Sequence, residues 1–282
     1  MNLFFTILVP IVRSLLTPVT SSWSGAYSPC LPPRTLTKGP NAGERGILNA
    51  VDAMYLQERW SDMKIECGDC VFPAHQCIVY PRSDYLAAAA NGQFNDPPGV
   101  ARITKGDPFL VEKVLEYIYK GSYTSMGSPL AEECRKPSRE RDEEDPESPS
   151  KKRRLDESPA SRFQQNPGYF HARMYAEGDF LMIPELKETA KKGFEDAIKI
   201  YFAPENFAAI VEEVYSDRTD YKEFQKLVVS AAIKNLASLR TAQPTILTRG
   251  LLASVPEFAE DLCMAFIKKH DPRGLNVTED DE

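Results

Sequence analysis

The stretch Ser61-Asp62-Met63-Lys64-Ile65-Glu66-Cys67-Gly68-Asp69-Cys70-Val71-Phe72-Pro73-Ala74-His75 sets the frame for the whole chain. From Ser61 to Cys67 apolar and polar residues alternate, the period of a strand with one buried face. Gly68-Asp69 is a two-residue turn in which glycine can take a positive φ. Cys70-Val71-Phe72 returns as a second strand, so the segment is a hairpin. Helix signals follow at once. His75 to Tyr80 is a short helical piece stopped by Pro81. Ser83 is an N-cap for a second piece that runs through Leu86 and the alanines 87–90 to Asn91, with Gly92 as its C-cap. Gly99 to Ile103 reads as a short strand. Asp107 and Pro108 open the next helix as N-cap and first-turn proline. Val111, Val114, Leu115 and Ile118 form its apolar stripe, and Gly121 ends it.

Working outward, Ile47, Leu48, Val51, Met54 and Tyr55 recur at spacings of three and four, the stripe of an amphipathic helix. Its partner surface is either this domain or a second copy. Residues 13–43, rich in Ser, Thr, Pro and Gly, are expected to be disordered. On the other side, residues 125–162 hold no aromatic residue and are dense in charge, Ser and Pro. Such a stretch cannot bury enough surface to offset its ordering entropy, which predicts a disordered insertion. Helical patterns resume near Tyr169. One helix starts at Pro184, with Leu186, Ala190, Phe194, Ala197 and Ile198 on its apolar side. Another starts at Pro204, with Phe207, Ile210, Val211 and Val214. Phe224, Leu227, Val228, Ala231 and Leu236 mark a third. Ser254-Val255-Pro256-Glu257 reads as a capping box for a last helix carrying Phe258, Leu262, Ala265 and Phe266. The order helix, hairpin, helical pair, strand, helix, then helices only suggests an α+β fold with helices covering a small sheet.

The chain has 282 residues, of which 42% are hydrophobic and 27% charged, close to a globular average. Its net charge of −7 disfavours direct nucleic-acid binding, which needs a basic surface. The cysteines, at 30, 67, 70, 77, 134 and 263, are scattered rather than framed for disulfides, which points to a reducing compartment. The apolar run Met1 to Val12 is short enough for a signal-peptide core but lacks a basic start and contains Pro10. It is too short to span a bilayer, which takes about 20 apolar residues. Two readings of it stand: a secretion or membrane-attachment signal, or an unstructured leader. The rest of the chain favours the second and a location in nucleus or cytoplasm, with no membrane expected.

No motif for catalysis emerges. The three histidines, 75, 171 and 270, lie in no nucleophile motif, and there is no P-loop, Gly-x-Gly-x-x-Gly or Gly-x-Ser-x-Gly. We expect no enzyme and no cofactor. Cys67-x-x-Cys70 with His75 and Cys77 has zinc-like spacing. Because the pair flanks a hairpin turn and Cys77 falls in a helix, structural cysteines are expected instead, with no metal. His75, at a strand-to-helix step, reads as a packing residue that bonds backbone groups. Lys151-Lys152-Arg153-Arg154, flanked by Ser-Pro at 148–149 and 158–159, reads as a nuclear import signal, against the alternative of a solvated charge run.

Several of these segments together resemble the BTB/POZ signature. In that family a strand beginning with Asp leads to a Phe-x-x-His step into a helix, as in Asp62-Met63-Lys64-Ile65 and Phe72-Pro73-Ala74-His75. An Arg-Ser-x-aromatic step then starts the next helix, as in Arg82-Ser83-Asp84-Tyr85. Val114-Leu115-Glu116-Tyr117-Ile118-Tyr119-Lys120-Gly121-Ser122-Tyr123 resembles the family's later helix end. Ala172 to Phe180 and Ile183 to Lys187 resemble its closing helices. The plan of a BTB domain with a charged insertion and a short helical tail is similar to many fungal BTB proteins. The resemblance implies a disordered leader at 1–43, a BTB/POZ domain at 44–198 interrupted at 125–162, a helical C-terminal region at 199–270 and an acidic tail at 271–282. It implies a protein-interaction adaptor that homodimerises through its first helix, residues 46–60, and its sheet edge, with Ile47, Leu48, Val51 and Tyr55 at the interface. Family members form a charged pocket there from the strand Asp and a basic residue after the His; Asp62 matches the first, and Gln76 stands at the second. Some members dock a cullin scaffold of ubiquitin ligases through a hydrophobic-x-Glu element, and Phe94-Asn95-Asp96 stands in that place, with Asp one methylene shorter. Residues 204–270 are left to recognise any client.

Overall fold

The computed structural model describes residues 42–92, 98–127, 163–200, 202–243 and 245–270. Helix α1 (Ala42–Ala53) precedes a sheet of β1 (Met63–Cys67), β2 (Cys70–Ala74) and β3 (Val100–Ile103) in the order β2-β1-β3. The expected hairpin forms, with Met63 opposite Ala74 and Cys67 opposite Cys70, and Gly68 takes a φ of 57° in the turn. β3 pairs with β1 in parallel, Lys64 opposite Val100. A parallel pair needs a crossover, here α2 (Gln76–Val79), a 3-10 turn (Tyr80–Arg82) and α3 (Asp84–Asn91). Met63, Ile65, Cys67, Cys70, Phe72, Ala74, Ala101 and Ile103 are buried on one face of the sheet. Lys64, Val71 and Arg102 are exposed on the other.

Helix α4 (Pro108–Lys120) is capped as its sequence dictates. The Asp107 side chain accepts from the Phe109 N–H, and Gly121 closes the helix at φ 72°. The one-sided stripe expected for it is too narrow a description. Every residue from Phe109 to Tyr119 is buried, Glu112, Lys113 and Glu116 included, because neighbours pack around the whole helix. The Lys113 ammonium is compensated by Glu116 Oε2 at 2.9 Å and the Met126 carbonyl oxygen at 2.7 Å. Phe163, where the described chain resumes, stacks on Phe109 with ring centroids 5.1 Å apart. Met126 and Phe163, on either side of residues 128–162, therefore both contact α4. The predicted insertion beyond residue 127, residues 1–41 of the expected leader and the acidic tail lie outside the described residues, while Ala42 and Gly43, read as leader, are the first residues of α1.

Next come α5 (Pro167–Phe180), capped by the Asn166 side chain, and α6 (Pro184–Lys199), whose buried residues are the five read from the sequence. A 3-10 turn (Pro204–Asn206), α7 (Phe207–Val214), α8 (Lys222–Lys234), α9 (Leu236–Thr241), α10 (Arg249–Ser254) and α11 (Pro256–His270) complete the fold. The C-terminal helices share one apolar core with the rest. Phe224 stacks on Phe194 at 4.2 Å, and Phe258 meets Phe207 and Tyr215. A buried polar cluster ties the same elements together: Glu213 lies 3.1 Å from Arg218 Nε, 3.1 Å from the Tyr221 hydroxyl and 3.7 Å from Arg173 Nε.

Several local expectations are corrected. Gly92 is the C-cap of α3, as its sequence reads, but in extended backbone, with φ −60° and ψ 141°, rather than left-handed. The α-helical piece does end before Pro81, at Val79, but the chain continues in a 3-10 turn, whose start tolerates proline. Ser254 is no capping residue for α11; it is the last residue of α10 and its hydroxyl donates to the Leu251 carbonyl oxygen at 3.0 Å. Leu236 opens a separate short helix rather than continuing α8.

Candidate interaction surface

The stripe Ile47, Leu48, Val51, Met54 and Tyr55 does lie along α1 and its exit, but its two ends have different fates. Val51, Met54 and Tyr55 pack, half-buried, against the core. Ile47 and Leu48 are 69% and 52% exposed. No residue of α1 is buried, so the helix overhangs the domain and carries apolar surface past its edge. That is uncommon, since a soluble helix normally turns its apolar stripe inward.

Tyr55 is the peg that holds α1 down. Its hydroxyl donates to the Glu112 carbonyl oxygen at 3.2 Å. Its ring lies 6.0 Å from that of Tyr119, and the Lys120 ammonium sits 4.3 Å above it. Burial, with Glu112 and Glu116 nearby, pushes its phenol well above the ordinary value. From Tyr55 the chain reaches β1 through two bulky residues in left-handed backbone, Leu56 at φ 55° and Trp60 at φ 64°. Trp60 is 68% exposed, with the Arg59 guanidinium 4.1 Å from its ring centre.

Asp62 and Gln76 come together, though not as a charged pair. Asp62 Oδ1 accepts the Gln76 backbone N–H at 2.7 Å, and the Gln76 side-chain amide donates to the Asp62 carbonyl oxygen at 2.7 Å. The carboxylate thus satisfies the first free N–H of α2. Beside it His75 is buried and fully bonded. Its backbone N–H donates to the Tyr119 hydroxyl at 2.9 Å, Nδ1 lies 2.8 Å from the same oxygen, and Nε2 lies 3.2 Å from the Arg59 carbonyl oxygen. The Arg59 carbonyl oxygen can only accept, so Nε2 donates to it, and the Tyr119 hydroxyl is placed to donate to Nδ1. Burial raises the Tyr119 phenol to about 12, which keeps that proton in place. His75 therefore holds the Arg59–Trp60 backbone against α4.

The zinc-like set does not converge as a whole, although Cys67 and Cys70 stand opposite each other in the hairpin. Cys67 and Cys70 are buried in the sheet face and Cys77 is exposed on α2. Burial pushes the Cys67 thiol up to about 11, away from the thiolate a metal would need. Among the described residues no group of His, Cys, Asp and Glu is placed to hold a metal ion. Among them too, no helix is long and apolar enough to cross a membrane. Phe94, Asp96 and Lys151 to Arg154 lie outside the described residues. From the sequence Trp60 is the last residue of the expected first helix, 46–60, and that helix stops at Ala53. Its signal is a tryptophan following the polar run Gln57-Glu58-Arg59, where no apolar period calls for it.

Residues 51–134 match the family model of the BTB/POZ domain. No curated protein matches the chain.

Proposed function

Residues 51–134 are a BTB/POZ domain, an interaction module, and from that premise we propose that this chain is a scaffold that works by binding proteins, beginning with a second copy of itself through α1. One observation carries the reading: Ile47 and Leu48 continue the apolar stripe of α1 beyond the core and stand 69% and 52% exposed. Covering such a patch with its own counterpart is what a two-fold, self-complementary interface does. Sedimentation of the full chain tests it. The wild type should run as a dimer at micromolar concentration, and Ile47→Glu with Leu48→Glu should run as a folded monomer. Equal masses for the two would remove the reading.

The adaptor version of this function is a cullin ubiquitin-ligase role, motivated by Phe94-Asn95-Asp96. A cullin should co-purify with the wild type and be lost from Phe94→Ala. Failure to recover one, with Phe94→Ala making no difference, would set this version aside. The alternative is a nuclear scaffold without a ligase partner, supported by Lys151 to Arg154. Neutralising those four residues should then abolish nuclear accumulation of a tagged chain. The C-terminal helices, packed into the same core, are the surface left for a client.

A further inference from the structure

We propose that Cys67 and Cys70 are a redox latch. Their thiols close into a disulfide across the end of the hairpin where glutathione disulfide is in excess, and open again where glutathione thiol is.

The strand register places the pair. Cys67 and Cys70 stand directly opposite each other at the last rung of the β1–β2 ladder. Strand alternation turns both side chains to one face, where they are 0% and 2% exposed. Flanking a two-residue turn they form a hydrogen-bonded pair, with Cα atoms about 5.5 Å apart. A disulfide accepts about 4.4–6.8 Å between Cα atoms. Opposed Cβ atoms lie about 4.5–5.5 Å apart and a disulfide takes about 3.5–4.5 Å, so closure asks the hairpin end to tighten by about 1 Å. That end can give. Gly68 turns it at φ 57°, and β2 lies at the edge of the sheet.

The surroundings set how the pair behaves. A Cβ on Gly68 would meet Pro108 at 3.7 Å, and one on Gly106 would come 3.0 Å from Cys67 Sγ. The rung therefore abuts the start of α4, and latching it ties the sheet to the Asp107 cap. Burial lifts the Cys67 thiol, so the pair ionises reluctantly and ignores a brief pulse of oxidant. The same burial shields the closed disulfide from reductant. Cys77 and Cys263 are exposed, so glutathione attached to either stays open to removal.

The exchange balances. As the end of the edge strand opens, the Cys70 thiolate attacks one sulfur of glutathione disulfide. The first glutathione leaves and takes up the proton that Cys70 lost. The Cys67 thiolate then attacks Cys70 Sγ and expels the second glutathione, which takes the Cys67 proton. The protein gives up two electrons and two protons, and one glutathione disulfide becomes two thiols.

The test places the full chain in glutathione buffers from fully reduced to fully oxidised, for hours. Free thiols are then alkylated, and the tryptic peptide of residues 65–82, which carries Cys67, Cys70 and Cys77, is sequenced by mass spectrometry. In oxidised buffer Cys67 and Cys70 should both escape alkylation, with the peptide lighter by two hydrogens on that account, and dithiothreitol should restore both thiols. The folded chain should melt about 5 °C higher oxidised than reduced, as for a short closed loop in a chain of this size. Cys70→Ala should abolish that rise. Lasting glutathione on Cys67 or Cys70, free thiols at both in fully oxidised buffer, a closed pair that melts no higher, or a rise that survives Cys70→Ala each overturns the latch. The mapping and melting of the unsubstituted chain decide the matter even if Cys70→Ala misfolds.

Discussion

His171 shows how one buried ring ties distant parts of this chain together. Its Nδ1 lies 2.9 Å from the Tyr123 hydroxyl, on the segment that leaves α4. A Cβ on Gly193 of α6 would come within 2.5 Å of the ring, so glycine is what lets α6 close on it. Burial lowers the His171 pKa from 6.5 to about 4, against the upward pull of Asp196. The unfolded chain therefore takes up this proton near pH 6.5 and the folded chain only near 4. Stability from this group is therefore complete above about 6.5, drains as pH falls, and is gone below about 4. His171→Asn removes the titration, so urea unfolding between pH 7 and 4 should show a shallower loss of stability in the variant than in the wild type. Parallel losses would mean that the ring is protonated in the fold or is not buried.

At the scale of elements, Ser83 works at both ends of its hydroxyl. The oxygen accepts the Leu86 N–H at 3.1 Å as the N-cap of α3, and the hydroxyl donates to the Leu181 carbonyl oxygen at 2.6 Å at the end of α5. Ser83→Ala should cost about 2 kcal/mol, the sum of a lost cap and a buried bond left unmade, whereas Ser83→Thr should recover most of it; thermal unfolding of both variants checks this. The cap at Ser83 was legible in the sequence, like the caps at Asp107 and Pro108 and the five buried positions of α6, because each depends on residues within a turn or two. What was not legible depends on distant partners. β3 reads as a strand, but its parallel pairing with β1 is set by the crossover between them. α4 reads as one-sided, yet packing surrounds it and buries Lys113 beside Glu116. Ser254 and Glu257 have capping-box spacing, but α10 claims the serine first. The first-helix stripe was legible while its overhang was not, since periodicity names a face without saying where the core ends. Of the other surface residues, the contact between Asp62 and Gln76 appears as a helix cap, and the left-handed turn at Trp60 left no mark in the sequence.

Over the whole molecule, the apolar core passes without a break from the sheet through α5 and α6 into the C-terminal helices. Phe224 of α8 is the clearest joint, stacked on Phe194 and packed against Tyr175 and Tyr221. Phe224→Ala should cost about 3–5 kcal/mol, and the loss should appear in one cooperative transition by far-UV circular dichroism, with no early melting of the C-terminal helices alone. Two separated transitions would mean that those helices form an independent unit. A rigid joint of this kind fixes the geometry between the self-association surface and whatever the C-terminal helices contact, which suits a scaffold. The scaffold reading stands or falls with α1. The most direct measurement is hydrogen–deuterium exchange of residues 42–53 in the full chain at low and high protein concentration. Self-association through α1 requires fast exchange in the dilute monomer and marked protection at the higher concentration, lost again in Ile47→Glu with Leu48→Glu. Exchange in α1 that is the same at both concentrations, while the sheet stays protected throughout, would contradict it.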